Sequence, residues 1–253
     1  MPNFSDHRPT PLVVVPTYNN RDTIGSVVGD ILQVTPHVLV VDDGSDDGAQ
    51  AILASLPGLR VVRHPRNLGK GAALRSGWLA AAQLGFSHAV SMDGDGQHLP
   101  GDLPVFFKEI SAHPEALILG YRRLAGGKRA LKSRLLRAHC NFWVAVLTGR
   151  WVGDSQSGFR AYPLEQVLPL ELTTRKYDFE VEVLVKALWT GVPVREIPIH
   201  AAYGPGSVSH FRPFQDFMLV FRLISTLLWR KLTTRPSLLK KHCLAAASRE
   251  RQQ

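Results

Sequence analysis

Four short apolar runs, each ending in a cluster of polar residues, constrain this chain more than any other feature. Leu12–Val15 and His37–Val41 are almost wholly Val and Leu, Leu59–Arg63 carries Leu59, Val61 and Val62, and Ser87–Met92 carries Ala89, Val90 and Met92; helix-length segments separate them. Continuous β-branched runs of that length read as strands buried on both faces. Between them, Ile24, Val27, Val28, Ile31 and Leu32 recur at helical spacing behind Asp22 or Thr23, Gln50–Leu56 reads as helical, and Gly71–Leu84 is an Ala-rich helix stopped by Gly85. A fifth strand follows at Leu117–Gly120. Strands alternating with helices predict an α/β fold: a single Rossmann-like domain with a mainly parallel central sheet and helices on both faces.

Beyond residue 120 the pattern loosens. A basic stretch (Arg122, Arg123, Lys128, Arg129, Lys132, Arg134, Arg137) leads into a helix through Val146. Asp154–Tyr162 reads as a loop, Asp178–Leu188 as a helix, Val194–Ile199 as a last strand and Phe211–Leu232 as an amphipathic helical segment. The expected divisions are an N-terminal arm (1–10), the main domain (11–210), the helical segment (211–232) and a basic tail (233–253).

The 253 residues carry a formal net charge of +9, which calls for an anionic partner: nucleic acid, an anionic membrane surface or a phosphorylated substrate. Nucleic acid is set aside, because no recognition-helix or RNP-like motif accompanies the charge and the basic residues flank acidic loops. Two cysteines are too few for a disulfide framework or a four-thiolate zinc site and fit a reducing compartment. The N-terminus lacks the apolar region of a signal peptide. Phe217–Trp229, broken by Arg222, is too short to span a bilayer.

The candidate chemistry sits just after the strand ends, where open α/β sheets bind ligands. Asp93, Asp95 and Gln97 are spaced i, i+2, i+4, so in extended chain their oxygens point the same way and suit Mg2+ or Mn2+. A polar Asp-Gly turn through Gly94 and Gly96 is the plainer reading. Asp42 can accept hydrogen bonds from a base or ribose, whereas Asp43 serves a turn equally well. Tyr18 offers a flat face to a base and Asn20 an amide. Asn67–Gly71 lacks P-loop spacing, so its glycines read as sites of close backbone approach, with Asn67 capping the helix or bracing the site. Arg122 and Arg160 are candidate phosphate clamps, with structural pairing to Glu180 or Glu182 as the alternative for Arg160. His98 and His210 are better placed than the lone His64, His88 and His139.

In order and spacing, Pro16–Asn20, Asp42–Ser45, Asn67–Gly71, Asp93–His98 and Ser157–Arg160 resemble glycosyltransferase family 2, and within it the dolichyl-phosphate mannose synthase group and its bacterial polyprenyl-phosphate relatives. The resemblance spans about residues 11–232. It implies a GT-A fold, a nucleotide-sugar donor, a divalent metal and inversion at the anomeric carbon. It places Pro16, Tyr18 and Asp42 on the nucleoside, Asp93-Gly94-Asp95 on metal and diphosphate, Gln97 in the metal shell and Arg122 on phosphate. Two features depart from the synthases. Asn20 stands where they carry Glu, and Gly204 and His210 stand where they carry Arg and Lys, leaving Ser209, His210 and Arg212 as acceptor-side candidates.

The expected function is metal-dependent transfer of a hexose, from GDP-mannose or a UDP-sugar, to a polyprenyl or dolichyl phosphate. The expected location is cytoplasmic, peripheral on the inner face of the membrane, with room for a membrane partner subunit. A lipid phosphate is already ionised and needs no general base. A hydroxyl acceptor on a glycolipid, saccharide or metabolite would need one, and Asp154 is the candidate. A nucleotidyltransferase is the further alternative, though Pro16–Asn20 lacks the expected Gly-rich loop. Phe214, Phe217, Phe221, Ile224 and Leu228 share one helical face flanked by Arg212, Arg222, Arg230 and Lys231, which reads either as an interfacial helix or as a core-packing one.

Overall fold

The computed structural model describes residues 9–122, 128–200, 213–234 and 243, and for 128–136 and 213–217 the main chain alone. Ser209, His210 and Arg212 therefore lie outside the described residues, as do the arm up to residue 8 and most of the basic tail.

The first half follows the expected alternation: β1 (Pro11–Thr17), α1 (Arg21–Val34), β2 (Val38–Asp42), α2 (Ala49–Ala54), β3 (Arg60–Arg63), α3 (Lys70–Gln83) and β4 (His88–Ser91). Then come α4 (Leu103–Ala112), β5 (Leu117–Arg122), α5 (Lys128–Thr148), β6 (Arg160–Pro163), α6 (Leu164–Val167), α7 (Phe179–Thr190), β7 (Val194–Ile199) and α8 (Pro213–Thr233). The seven strands form one sheet in the order β3-β2-β1-β4-β6-β5-β7. All neighbours are parallel except the pairs that β6 makes with β4 and β5. The stretch 154–162, expected to be loop throughout, thus contributes a strand from Arg160 onward. Its apolar content is short, and its pairing with Ser91 and Leu119 is long-range, so local pattern does not announce it.

The unbroken apolar runs are explained by two cores, one on each face of the sheet. Leu12, Val14, Leu39 and Val41 face α3, α5, α7 and α8, while Val13, Val15, Val38 and Val40 face α1, α2 and α4. Only β3, at the sheet's edge, is largely exposed, and Arg60 and Arg63 guard it. Strand order reverses between β1 and β4, so the crevice beyond their carboxyl ends is the natural ligand site. Because β6 runs antiparallel, its first residue, Arg160, lies at that same edge.

Helix α8 divides its apolar residues between two faces. Val220, Leu223, Ile224 and Leu227 are buried in the core. Met218, Phe221, Trp229 and Leu232 are exposed. The single outward stripe that includes Ile224 and Leu228 does not exist as such: Ile224 is 3% exposed and Leu228 packs against the core.

Helix α3 approaches β1 and β2 closely at Gly77, where a Cβ would lie 2.3 Å from Val14 Cγ1 and 3.3 Å from Val41 Cγ2. Gly77→Ala should destabilise the chain by about 1–2 kcal/mol in urea denaturation, the overpacking exceeding the gain in helix propensity. Val14→Ala in the same chain should make room, so that the pair costs less than the sum of the single changes.

Candidate active site

The loops after β1, β2 and β4 are tied together by their own polar groups. Thr23 Oγ1 donates to Gly94 O at 2.7 Å, and Asn20 Nδ2 donates to Thr17 Oγ1 at 3.2 Å. A Cβ at Gly94 would come within 3.2 Å of Ile24 Cδ1 and Thr17 Oγ1, so the residue between the two aspartates must stay small. Pro16 is buried within β1, and Tyr18 and Asn20 stand half-buried at the start of the crevice.

Asp42 and Asp43 have separate tasks. Asp42 is 1% exposed; its Oδ1 accepts from Ser45 N, while its buried Oδ2 has, among the described residues, no hydrogen-bond partner, only Arg63 Nε at 3.6 Å. A buried, unsatisfied carboxylate oxygen is costly and suits a ligand N–H or hydroxyl. Asp43 is a structural clasp. It accepts from Leu68 N and Gly69 N, and His64 Nδ1 sits 2.6 Å from it, with Ser76 Oγ at 2.9 Å from His64 Nε2. His64 is thus part of this clasp. Asn67 is exposed. The glycines around it do permit close approach: a Cβ on Gly69 would lie 2.4 Å from Arg175 O, and one on Gly71 2.4 Å from Phe179 Cβ.

Asp93 and Asp95 leave β4 together. Lys70 Nζ lies 2.7 Å from Asp93 Oδ1 and 3.2 Å from Glu180 Oε1. Burial alone would raise the Asp93 pKa, but Lys70 above all, with Arg122 farther off, outweighs it and holds the carboxyl below its ordinary value. Asp95 is pushed up to about 6 by burial and then by the charge of Asp93. His98 is buried, its Nδ1 accepts from Asp93 N at 3.2 Å, and burial pushes its pKa down to about 4, so the ring is neutral. Gln97 N donates to Asp95 Oδ1 at 3.0 Å. Two crowded carboxylates with a neighbouring amide form a hard-oxygen donor set that fits Mg2+ or Mn2+. Among the described residues no group of three or more His, Cys, Asp or Glu could hold a metal unaided, so an ion here would need further oxygens, from Gln97 and from a ligand.

Arg122, at the end of β5, grips Asp154 with two donors, Nε to Oδ2 at 2.7 Å and Nη2 to Oδ1 at 3.1 Å. Arg137 Nη1 stands 3.5 Å from the same carboxylate and donates to Arg122 O at 3.2 Å. Asp154 is fully buried. Arg160 corrects the expectation of a phosphate clamp: it is fully buried, and Nε, Nη1 and Nη2 each donate to a main-chain carbonyl, of Ser157, Glu180 and Ser155. It braces the loop 155–158 against α7.

Sequence reasoning misses three contributors. Lys70 and Glu180 flank Asp93 only through the fold. Arg137 is one basic residue among seven in its stretch; what marks it is that it is 6% exposed with Nε and Nη2 buried and unpartnered.

Paired carboxylates and arginines gathered at the strand-order reversal are the arrangement expected of a ligand site in an open α/β sheet. The family model for glycosyl transferase family 2 matches residues 12–167, and the chain belongs to that family and is a glycosyltransferase. It is 32% identical over 211 residues to a polyprenol monophosphomannose synthase of Mycolicibacterium smegmatis, covering 76% of this chain and 78% of the relative. It is 28% identical to an undecaprenyl-phosphate mannosyltransferase of Micrococcus luteus (74% and 82% covered) and 27% identical to a UDP-N-acetylglucosamine–dolichyl-phosphate N-acetylglucosaminyltransferase of Methanococcus voltae (87% and 95%). Among solved structures, a glucosyl-3-phosphoglycerate synthase of Mycobacterium tuberculosis in complex with Mn2+, UDP and phosphoglyceric acid superposes with a TM-score of 0.67 at 21% identity, covering 90% of this chain and 80% of that one. The shared fold is GT-A.

The site carries a pH signature. A raised Asp95 pKa contributes stability below about pH 4 that is lost as pH rises through about 6, so at pH 7 its charge is a cost. Asp95→Asn should raise the metal-free melting temperature at pH 7, by about 1–2 kcal/mol equivalent after allowance for partial exposure, and abolish any stabilisation by Mn2+. The depressed pKa of His98 works oppositely: its contribution is full above pH 6.5 and is lost as pH falls toward 4, so the Asp95→Asn chain should lose stability across that window. Calorimetry from pH 4 to 7, with and without Mn2+, checks both.

Proposed function

We propose that the chain transfers a hexose, with inversion, from a nucleotide-sugar donor to a polyprenyl or dolichyl phosphate at the cytoplasmic face of a membrane. The observation that carries this reading is the state of Asp154. Both of its oxygens are engaged by Arg122, with Arg137 alongside. A carboxylate so held is a poor general base, which a hydroxyl acceptor would require. It is a good anchor for two guanidinium groups, and Arg137 still has buried N–H donors to offer an anion.

On the donor side, Asp42 Oδ2 would take a base N–H or ribose hydroxyl, Tyr18 would face the base, and Pro16, Asn20 and Gly94 shape the pocket. Asp93, Asp95 and Gln97 would hold Mg2+ or Mn2+, which supplies a Lewis acid for the departing diphosphate. Arg122, near enough to lower the Asp93 pKa, adds positive charge where negative charge builds as the glycosidic bond breaks. The acceptor phosphate oxygen then attacks the anomeric carbon from the opposite face, already ionised. The relatives agree on a polyprenyl-type phosphate acceptor but differ in the sugar, so GDP-mannose and the UDP-sugars both stand as donors.

A membrane surface is supported by two neighbouring helices. No described helix is long and apolar enough to cross a bilayer. Yet Met218, Phe221, Trp229 and Leu232 on α8, and Phe142, Val146 and Trp151 at α5, are exposed. Lys231 Nζ donates to Val146 O at 2.7 Å, which brings the two helix ends together. Arg150, Arg222, Arg230 and Lys231 supply charge for an anionic surface, each basic group adding about 1 kcal/mol close to it.

The test is transfer itself. With Mn2+, one nucleotide-sugar among GDP-mannose, UDP-glucose and UDP-N-acetylglucosamine should raise the melting temperature and label a polyprenyl phosphate. Comparable labelling of the matching polyprenol would overturn the phosphate reading. Asp154→Asn should keep donor binding and lower transfer by about 10–100-fold through a misplaced Arg122; complete loss with donor binding intact would instead identify a base.

The chain should also float with anionic but not neutral liposomes, and release at high salt. Phe221→Glu with Trp229→Glu should abolish flotation without altering the melting temperature. Parental flotation of that double variant would remove the membrane claim.

A further inference from the structure

We infer that Lys70 is a resident counter-cation of Asp93, tethered by Glu180, that makes a divalent ion bind together with the nucleotide diphosphate rather than ahead of it. This rests on the glycosyl-transfer reading above and concerns how that site is loaded.

Lys70 is delivered with little freedom. It is the first residue of α3, directly after Gly69, whose φ of 101° is open to glycine alone among common residues. The two amides before it, Leu68 N and Gly69 N, are held by Asp43; the two after it, Gly71 N and Ala72 N, donate to Arg175 O. The ammonium enters a space kept clear by Gly158, where a Cβ would lie 2.7 Å from Lys70 Nζ and 2.6 Å from Asp93 Oδ2. There it pairs with Asp93 on one side and Glu180 on the other. Burial works against its charge, and the two carboxylates overcome that, so the lysine stays protonated.

A fixed cation at 2.7 Å from Asp93 has an electrostatic consequence. It satisfies part of the charge that a divalent ion would otherwise use, and it repels that ion in a setting where solvent screens weakly. Without nucleotide, Lys70 therefore weakens metal binding. A diphosphate reverses the sign, because its negative charge gives both cations an anion to share. Metal and diphosphate then bind cooperatively, and by linkage each tightens the other equally. Glu180 tunes the balance by drawing the ammonium away from Asp93. Its carboxylate is almost fully buried, and burial raises its pKa. Glu180 acts through Lys70 and is a positioning residue.

Mn2+ affinity, measured by titration calorimetry or by electron paramagnetic resonance of the free ion, separates this from a purely structural role. In the parent chain, GDP or UDP should tighten Mn2+ by at least about fivefold. Lys70→Met should bind Mn2+ alone more tightly than the parent, by about threefold or more, and lose most of the nucleotide coupling. Glu180→Gln, which lets the ammonium settle on Asp93, should move Mn2+ affinity the other way. A merely structural lysine would weaken both ligands in step with a lower melting temperature. A folded Lys70→Met chain that binds Mn2+ no tighter than the parent, or keeps full coupling, overturns the inference. If that variant does not fold, Glu180→Gln decides it: unchanged or tighter Mn2+ binding overturns it. Loss of the Lys70 inference alone leaves parental Mn2+ and nucleotide binding intact. A parent that takes up no Mn2+ with either nucleotide removes the metal reading and this inference together.

Discussion

Asp93 and Asp95 leave the same strand end half-buried, and much of the surrounding structure answers the problem they create. Asp95 is pushed up to about 6, first by burial and then by the charge of Asp93, so the pair needs compensation to ionise together. Lys70 settles Asp93, at the cost of burying an ammonium that in turn needs Glu180. His98 stays neutral and uses its ring nitrogen on the Asp93 amide, fixing the main chain from which the carboxylate projects. The result is a site held in geometry but left short of positive charge, which favours a ligand that brings its own cation.

That geometry depends on loops from distant parts of the chain acting as one body. Asp43 ties the end of β2 to the start of α3 through two amides. Arg175 O ties α3 to the segment before α7 through two more. Arg160 commits its guanidinium to three carbonyls and so joins the 155–158 loop to α7. None of these residues needs to touch substrate. Each satisfies buried main-chain groups that would otherwise be costly, and in doing so limits how far the loops bearing Asp93, Lys70 and Asp154 can drift.

What is legible in the sequence is what is local. The strands β1, β2 and β4 and the helices between them announce themselves because each is a contiguous run with a single period. Asp93, Asp95 and Asp42 stand out because a polar cluster at the end of a buried strand lies where the fold opens to a ligand. Strand β6 does not, since four residues paired antiparallel with Ser91 and Leu119 leave no periodic trace. The role of Arg160 escapes sequence reading for the same reason. An arginine closing a loop of small polar residues and one carboxylate looks like a ligand, and only its burial reveals a brace. Asp42 and Asp43 are adjacent yet point to different partners, a distinction set by where α3 returns to the sheet.

The two halves of the crevice have different grounds for their specificity. The half between β1, β2 and β4 is framed by parallel strands and short loops, a frame shared with structures only 21% identical. The other half is built from the end of β5, the helix α5 and the loop before β6. There Asp154 is buried beneath two arginines, one of them with unused donors. Arg137 projects from α5, whose later residues Phe142 and Val146 are exposed beside the apolar face of α8. A single helix thus carries a cationic residue at the crevice and apolar side chains one to three turns away. A lipid phosphate has the same order of parts, an anion followed by hydrocarbon. Under the proposed function, matching that order along one rigid element would let a bilayer surface and a phosphate be engaged together, with no change in the frame proposed to hold the donor.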